Sequence, residues 1–341
     1  MIHLDGTKIS GGGQILRNAL GLSAYTNKPF TITNIRSERP KKGLQAQHVS
    51  AIRTLQILCN AHVEGAEIGS QEITFIPYGF SPQKITAHIG TAGSTTLLAQ
   101  ALLIPAHKHT RKEYILEGGT DVRWSPSIDY MREILQPTLT EIMHIDTEIE
   151  RRGFFPKGGG RIHVRVGEKK ESTPIRLTER GTIQYFAVHI SASREYLDED
   201  LCEKLEQAIR VHLDIYHKPI QFKNGYIYTS SKGYSVTISA VHATHKPIHT
   251  IGASVLGDEV DTPLQAVQLL KQRLEEQLNK PGAVDEHLAD QLIVYLGIHG
   301  GELTTTNITN HTRTAIQTTE YFLPVQFHIE DNHIRVQNKV R

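Results

Sequence analysis

A unit that returns along the chain constrains its fold more than any single residue does. The unit reads as a glycine-rich strand end, a helix, an alternating strand, a second helix and a pair of strands. In the first copy, 15–25 carries helical apolar spacing, and 30–35 alternates Phe30, Ile32 and Ile35 with threonine and asparagine. A second helix is predicted over 45–61, with Val49, Ile52, Leu55 and Leu58 at a three-residue step, followed by strands near 61–65 and 72–77. The second copy offers a segment at 92–106, a strand at 113–117 ending in Gly118-Gly119, a helix over 128–143 and strands at 147–152 and 160–166. A third copy looks split, with helices at 263–278 and 284–296 and strands at 322–329 and 333–337. Self-similarity at a period of roughly 80 residues means that the copies cover one another's apolar faces. Between 181 and 276 the pattern changes to two strands, a helix at 199–216 and strands at 226–229 and 235–241. A smaller α/β domain is expected there, leaving 1–180 and 277–341 to the repeats.

Composition narrows the function. The 341 residues are 38% hydrophobic and 21% charged, and no apolar run reaches the length of roughly 20 residues that a bilayer span needs. The longest stretch, 97–106, is broken by Gln100 and Pro105. The start of the chain lacks a basic segment followed by an apolar one, so no secretory signal is read and a cytoplasmic location is expected. A formal net charge of +1 excludes a globally basic nucleic-acid binder, so any such site must be local. Cys59 and Cys202 have no metal-like spacing and read as buried thiols.

Several segments carry candidate chemistry. Gly11, Gly12 and Gly13 precede a helix with Arg17 about one turn inside it, which lets backbone amides approach a phosphate. The spacing is not that of a P-loop, and a ligand-free tight turn is the commoner explanation of such glycines. Arg36, Arg39, Lys41 and Lys42, with Gln47 and His48 beyond them, suit a phosphorylated strand end; a solvated loop is the alternative. Arg151, Arg152 and Lys157, around Phe154 and Phe155, read as a solvent-facing turn. His242, His245 and His249 have metal-like spacing but are interrupted by Pro247 and lack a nearby acid or cysteine, so they are not read as ligands. His311 lies in a polar stretch taken to sit between strand-like residues. A neutral imidazole can attack phosphorus, and Thr312 and Thr314 could orient it.

These segments belong to a longer ordered series: Gly-Gly-Gly-Gln-Ile-Leu-Arg at 11–17, Thr-Ala-Gly-Ser at 91–94, Glu-Gly-Gly-Thr-Asp at 117–121, Arg-Gly-Phe-Phe-Pro-Lys-Gly-Gly-Gly at 152–160, His-Leu-Ala-Asp-Gln at 287–291 and His-Thr-Arg-Thr-Ala-Ile at 311–316. In this series the chain resembles the RNA 3′-terminal phosphate cyclases over nearly its whole length. The resemblance implies an α/β (α+β) fold of three βαβαββ repeats, of the enolpyruvyl-transferase and initiation-factor C-terminal-domain type, with a smaller inserted α/β domain. It implies ATP-dependent conversion of RNA 3′-phosphate ends to 2′,3′-cyclic phosphates through an adenylyl-histidine on His311. By the same resemblance Gln100, His287, Leu288, Ala289, Asp290 and Gln291 hold the nucleotide, while Arg17, Arg39, Gln47 and His48 meet the phosphates and the RNA end. The partners implied are ATP, a divalent cation (Mg²⁺ or Mn²⁺) and RNA with a 3′-phosphate; a homodimer is allowed and a membrane is not expected.

Two departures stand out. Ser10 occupies the place of the family's metal-holding glutamate, and a hydroxyl is a poor sole ligand for Mg²⁺. Another acid then substitutes, or ATP carries the ion with less help, or activity falls. Gln45 replaces an arginine and removes one cation from the phosphate-end cluster. The competing readings are a non-catalytic relative that binds RNA in ribosome assembly, which retention of His311 disfavours, and an enolpyruvyl transferase, which shares the repeat but not the setting of His311.

Overall fold

A computed structural model describes residues 1–7, 12–81, 84–106, 108, 112–169, 173–243 and 249–339. The first repeat runs β1 (Ile2–Asp5), α1 (Gly13–Thr26), β2 (Phe30–Thr33), α2 (Ala46–Cys59), β3 (His62–Glu64) and β4 (Ile73–Ile76). Its sheet has the order β1-β2-β4-β3, with β1 parallel to β2 and the other pairs antiparallel. Phe30, Ile32, Ile73 and Phe75 point inward at every second position and are fully buried.

The second repeat repeats that order. β5 (Lys84–His88) and α3 (Thr95–Ala106) lead to β6 (Lys112–Gly118). Helices α4 (Ile128–Tyr130) and α5 (Gln136–Leu139) then flank a π-helical turn at Met131–Leu135, before β7 (Met143–Arg151) and β8 (Gly160–Lys169). The sheet order is β5-β6-β8-β7. The helix expected over 128–143 therefore stops at Leu139, and Met143 already pairs with β8.

The third repeat corrects the sequence reading. It opens with the three-residue β9 (Ile175–Leu177). Its helices are not the expected pair. α7 (Pro263–Leu278) buries Ala266, Val267, Leu270 and Leu274 in a second core, with strands of the 181–276 region. The repeat's own helices are α8 (Glu286–His299) and α9 (Asn310–Phe322), which lead to β14 (Gly301–Thr304), β15 (Val325–Glu330) and β16 (His333–Asn338) in the order β15-β16-β14-β9. The segment around His311 was thus misjudged. Thr309 caps α9 by accepting from the Thr312 amide at 3.1 Å, and Thr314, Thr318 and Thr319 donate to carbonyls four residues back. Those bonds let a threonine-rich stretch stay helical despite its β-branching.

Inside the 181–276 region, β10 (Thr182–Ser193) pairs with β11 (Ile220–Ile227) and β12 (Tyr234–Ala243), and β13 (His249–Leu256) completes the order β11-β10-β12-β13. α6 (Leu201–Leu213) and α7 cover this sheet. On the strength of the two cores, we propose the division read from the sequence, with 181–276 as the inserted unit. Both cysteines are buried and unpaired. Among the described residues no helix is long and apolar enough to cross a membrane.

One ion triad ties together two turns of the second repeat. Arg152 reaches Asp121 at 3.2 Å and Asp129 at 2.7 Å, and both carboxylates are wholly buried. Removing the cation leaves two uncompensated charges. Arg152→Met is expected to lower unfolding free energy by about 3–5 kcal/mol. Urea denaturation would measure it, and a loss below about 1 kcal/mol, the range of an exposed pair, would show that the triad is solvated.

Candidate active site

Helices α1, α3, α8 and α9 pack together, and their polar ends surround one site. α1 starts at Gly13 with Gly12 as its N-cap and carries no acid in its first turn, which favours an anion there. Gly13 is small for a reason. A Cβ at that residue would lie 2.5 Å from His48 Nε2 and 3.0 Å from Arg17 Nη1, so the two side chains converge on the space that glycine leaves open. His48 is 2% exposed. Its Nδ1 accepts from the Gln45 amide at 2.9 Å, which places the ring proton on Nε2 and directs a donor at the helix start. Burial lowers the His48 pKa to about 3, with Arg17 and Arg36 adding to the effect. Burial likewise lowers the Arg17 pKa to about 10, partly offset by Asp290. Among the described residues Arg17 has no ion-pair or hydrogen-bond partner, so a half-buried guanidinium faces the helix start beside His48.

His311 sits in the first turn of α9. Its Nδ1 lies 2.7 Å from Gln14 Oε1. A carbonyl oxygen can only accept, so Nδ1 donates and Nε2 keeps its lone pair. Among the described residues Nε2 has no hydrogen-bond partner, and the residue is exposed. Desolvation by the surrounding protein lowers the His311 pKa, followed by the charges of Arg17, His287 and Arg39. The imidazole is therefore neutral and unencumbered at physiological pH.

The expected nucleotide residues divide in two. Gln100 on α3 donates to Gln291 Oε1 at 2.7 Å, and Gln291 Nε2 donates to the His287 carbonyl at 2.7 Å, a chain that joins the second and third repeats. His287 is exposed and its ring meets Tyr130 edge-on at 6.5 Å. Asp290 is partly buried beside Arg17; burial pushes its pKa up to about 8, against the pull of Arg17. Leu288 and Ala289, in contrast, are wholly buried in the core and offer no side chain to the site.

Of the residues expected at the RNA end, Gln47 accepts from the Ser94 amide at 3.3 Å and His48 faces Gly13, while Arg39 stands exposed on the loop with its charge felt at His311. Gln45 turns its amide back to the carbonyls of Lys42, Gly43 and Leu44. Thr312 and Thr314 do not orient the imidazole, because both are buried and bonded within α9. Gln14 does that, and sequence reasoning missed it although it follows the three glycines directly. The other missed residue is Asp285. With no exposure, it accepts from the Tyr130 hydroxyl at 2.5 Å, the Gly252 amide at 3.1 Å and the His287 and Leu288 amides at 3.0 and 2.9 Å.

Among the described residues no group of three or more His, Cys, Asp or Glu side chains could hold a metal. Ser10 and His245 lie outside the described residues, as does the side chain of His249.

Fold and site together define a mixed α/β protein with an accessible neutral imidazole beside a cationic, anion-directed helix start. A family profile described as RNA 3′-terminal phosphate cyclase matches residues 8–329. The chain is 38% identical over 334 residues to the RNA 3′-terminal phosphate cyclase of Methanococcoides burtonii, with 97% of each chain covered. It is 37% identical over 345 residues to that of Pyrococcus abyssi, covering 100% of this chain and 98% of the relative, and 35% identical over 341 residues to that of Sulfolobus acidocaldarius, covering 97% of each. The chain belongs to the RNA 3′-terminal phosphate cyclase family of enzymes.

The buried neutral His48 makes stability depend on pH. Its folded pKa lies below the ordinary 6.5, so the unfolded chain binds the proton first. The contribution is complete above pH 6.5 and is lost as pH falls toward about 3. Between pH 6 and 4 the natural chain should lose about 1.4 kcal/mol more per pH unit than His48→Gln. Parallel slopes in denaturant titrations of the two proteins would show that the ring is not held neutral.

Proposed function

We propose that the protein converts RNA 3′-phosphate ends into 2′,3′-cyclic phosphates with ATP, through AMP carried on His311. The observation that supports this most directly is a neutral His311 whose ring is held by Gln14, whose Nε2 has no partner among the described residues, and which lies beside the charge of Arg17.

The chemistry runs in three displacements. His311 Nε2 attacks the α-phosphorus of ATP; the N–P bond forms as the bond to the bridging oxygen breaks, and pyrophosphate leaves. Gln14 supports the positive charge that gathers on the ring, because its carbonyl accepts the Nδ1 proton. Arg17, the His48 Nε2–H and the α1 amides offset charge on the phosphates. An oxygen of the RNA 3′-phosphate then takes the AMP, breaking the N–P bond and restoring His311. The neighbouring 2′-hydroxyl attacks the terminal phosphorus, loses its proton, and AMP leaves as the ring closes. A DNA 3′-phosphate lacks that hydroxyl and cannot cyclise.

Gln100, Gln291, His287 and Asp290 line the nucleotide side of this reading. A protonated Asp290 would offer the bound nucleotide an O–H donor, consistent with its raised pKa. A divalent cation, if bound with the triphosphate, would neutralise charge there. The described residues supply no multidentate carboxylate cage, so the triphosphate itself would furnish much of its coordination. A non-catalytic RNA-binding role would not require an unpartnered nitrogen at His311. A cytoplasmic location is part of this reading.

ATP labelled at the α-phosphate should leave acid-labile, hydroxylamine-resistant label on the natural chain and none on His311→Ala. Turnover should fall by several powers of ten, each worth about 1.36 kcal/mol of barrier. Equal labelling of the variant would refute the assignment. Gln14→Ala should keep ATP affinity while slowing adenylylation by roughly ten- to a hundredfold, since orienting partners of a reactive histidine carry effects of that size. A change confined to ATP affinity would remove Gln14 from the mechanism.

A further inference from the structure

Resting on the cyclase reading, we infer that the RNA upstream of the reacting end is bound outside the catalytic site, by bases stacking on Trp124 and Phe155 with phosphates beside Lys157 and Arg151.

Trp124 is the chain's only tryptophan, and it is 95% exposed. It also holds φ at +67°, a conformation that costs a bulky side chain of order 1–3 kcal/mol and is not repaid by burial here. Its turn is nevertheless firmly built. Asp121 pairs with Phe154 in a parallel bridge, the Thr120 and Asp121 amides donate to the Gly153 carbonyl, and Arg152 clamps Asp121 and Asp129. The same bonds bring the turn at 153–158 alongside, and there Phe155 is 61% exposed. Two large aromatic residues thus stand largely exposed on adjoining, hydrogen-bonded turns.

The neighbouring charges favour a polyanion. Lys157 is exposed with no acidic partner among the described residues, and Arg151 is exposed with its Nε directed to the Gly159 carbonyl. Beyond Arg151 the surface enters a cleft of about 680 Å³ between β7 and β11, where Asp129 and Glu150 are paired with Arg152 and Arg161, and Arg132 and Lys223 form no ion pair among the described residues. Aromatic faces interleaved with cations are the usual grip on single-stranded nucleic acid, because every base has a face to stack.

The surface also continues from the active site. The Gly119 amide donates to the Gly93 carbonyl at 2.8 Å, the Ser94 amide donates to Gln47, and a Cβ on Gly158 would lie 2.9 Å from Ala92 Cα. The 91–94 turn therefore lies between Gln47 and the aromatic turns, so a strand with its 3′ end at His311 would cross it to reach Trp124. The turn that looked merely solvated in the sequence thereby acquires a ligand.

Trp124 reports on itself. Its fluorescence should be quenched saturably by a single-stranded oligouridylate of roughly ten nucleotides ending in a 3′-hydroxyl, which binds without reacting. Trp124→Ala with Phe155→Ala should raise KM for a 3′-phosphorylated oligonucleotide of that length about tenfold or more. The kcat, the KM for a 3′-phosphorylated dinucleotide and the adenylylation of His311 should stay unchanged, and Trp124→Tyr should restore most of the lost affinity. Unquenched emission with the natural chain overturns the inference, as it would if the surface served a protein partner. So would an equal KM rise on the dinucleotide. If the natural chain binds and quenches but closes no ring, only the reaction assigned under the proposed function falls, because the titration needs no turnover.

Discussion

The site depends on one carboxylate that never meets water. Asp285 caps α8, takes the hydroxyl of Tyr130 from the second repeat and takes the amide of Gly252 from the insert. A buried ionisable group of this kind is tolerable only when its oxygens are satisfied, and four donors do that here. Its consequence is positional. The second repeat, the insert and the third repeat are joined at the point where α8 begins, and α8 carries His287, Asp290 and Gln291. Burial raises the Asp285 pKa, opposed first by His287 and then by the Tyr130 hydroxyl.

Around that fastening the site assembles two unlike electrostatic environments. On one side Arg17 and the α1 start collect negative charge, and the proton on His48 Nε2 points the same way. On the other, Asp290 is pushed toward its neutral form. Between them burial, and after it the nearby cations, lowers the His311 pKa, so in the proposed reaction the cations that would receive a phosphate would also help to keep the ring unprotonated. The two tasks do not compete, because an imidazole loses its proton more readily beside positive charge.

The repeats were legible where side-chain period carried them. Alternation in 30–35 and 72–77 and the helical spacing of 15–25 and 45–61 found the first repeat, and the 181–276 region stood out as a change of pattern. What failed failed for identifiable reasons. The three-residue β9 is too short for a period to show. α7 has a good apolar stripe, but a stripe does not say which sheet it covers, and it covers the insert's. α9 was hidden by its threonines, whose intrahelical hydroxyl bonds are invisible to a propensity argument. At the site, residue types singled out His311, Arg17 and His48 as chemically able, and the family resemblance added Gln100. The resemblance also brought in Leu288 and Ala289, which share a motif with Asp290 but face the core.

By itself the sequence determined which groups could react and that they lie in a repeated α/β scaffold, because period, glycine placement and residue chemistry are local properties. Only the tertiary structure decided that Gln14 holds His311, 297 positions away, that Gln100 meets Gln291, and that Asp285 fastens the repeats together. Those relations are distances between distant segments, set by how sheets and helices pack, and a hydrogen bond depends on tenths of an ångström that no local pattern encodes.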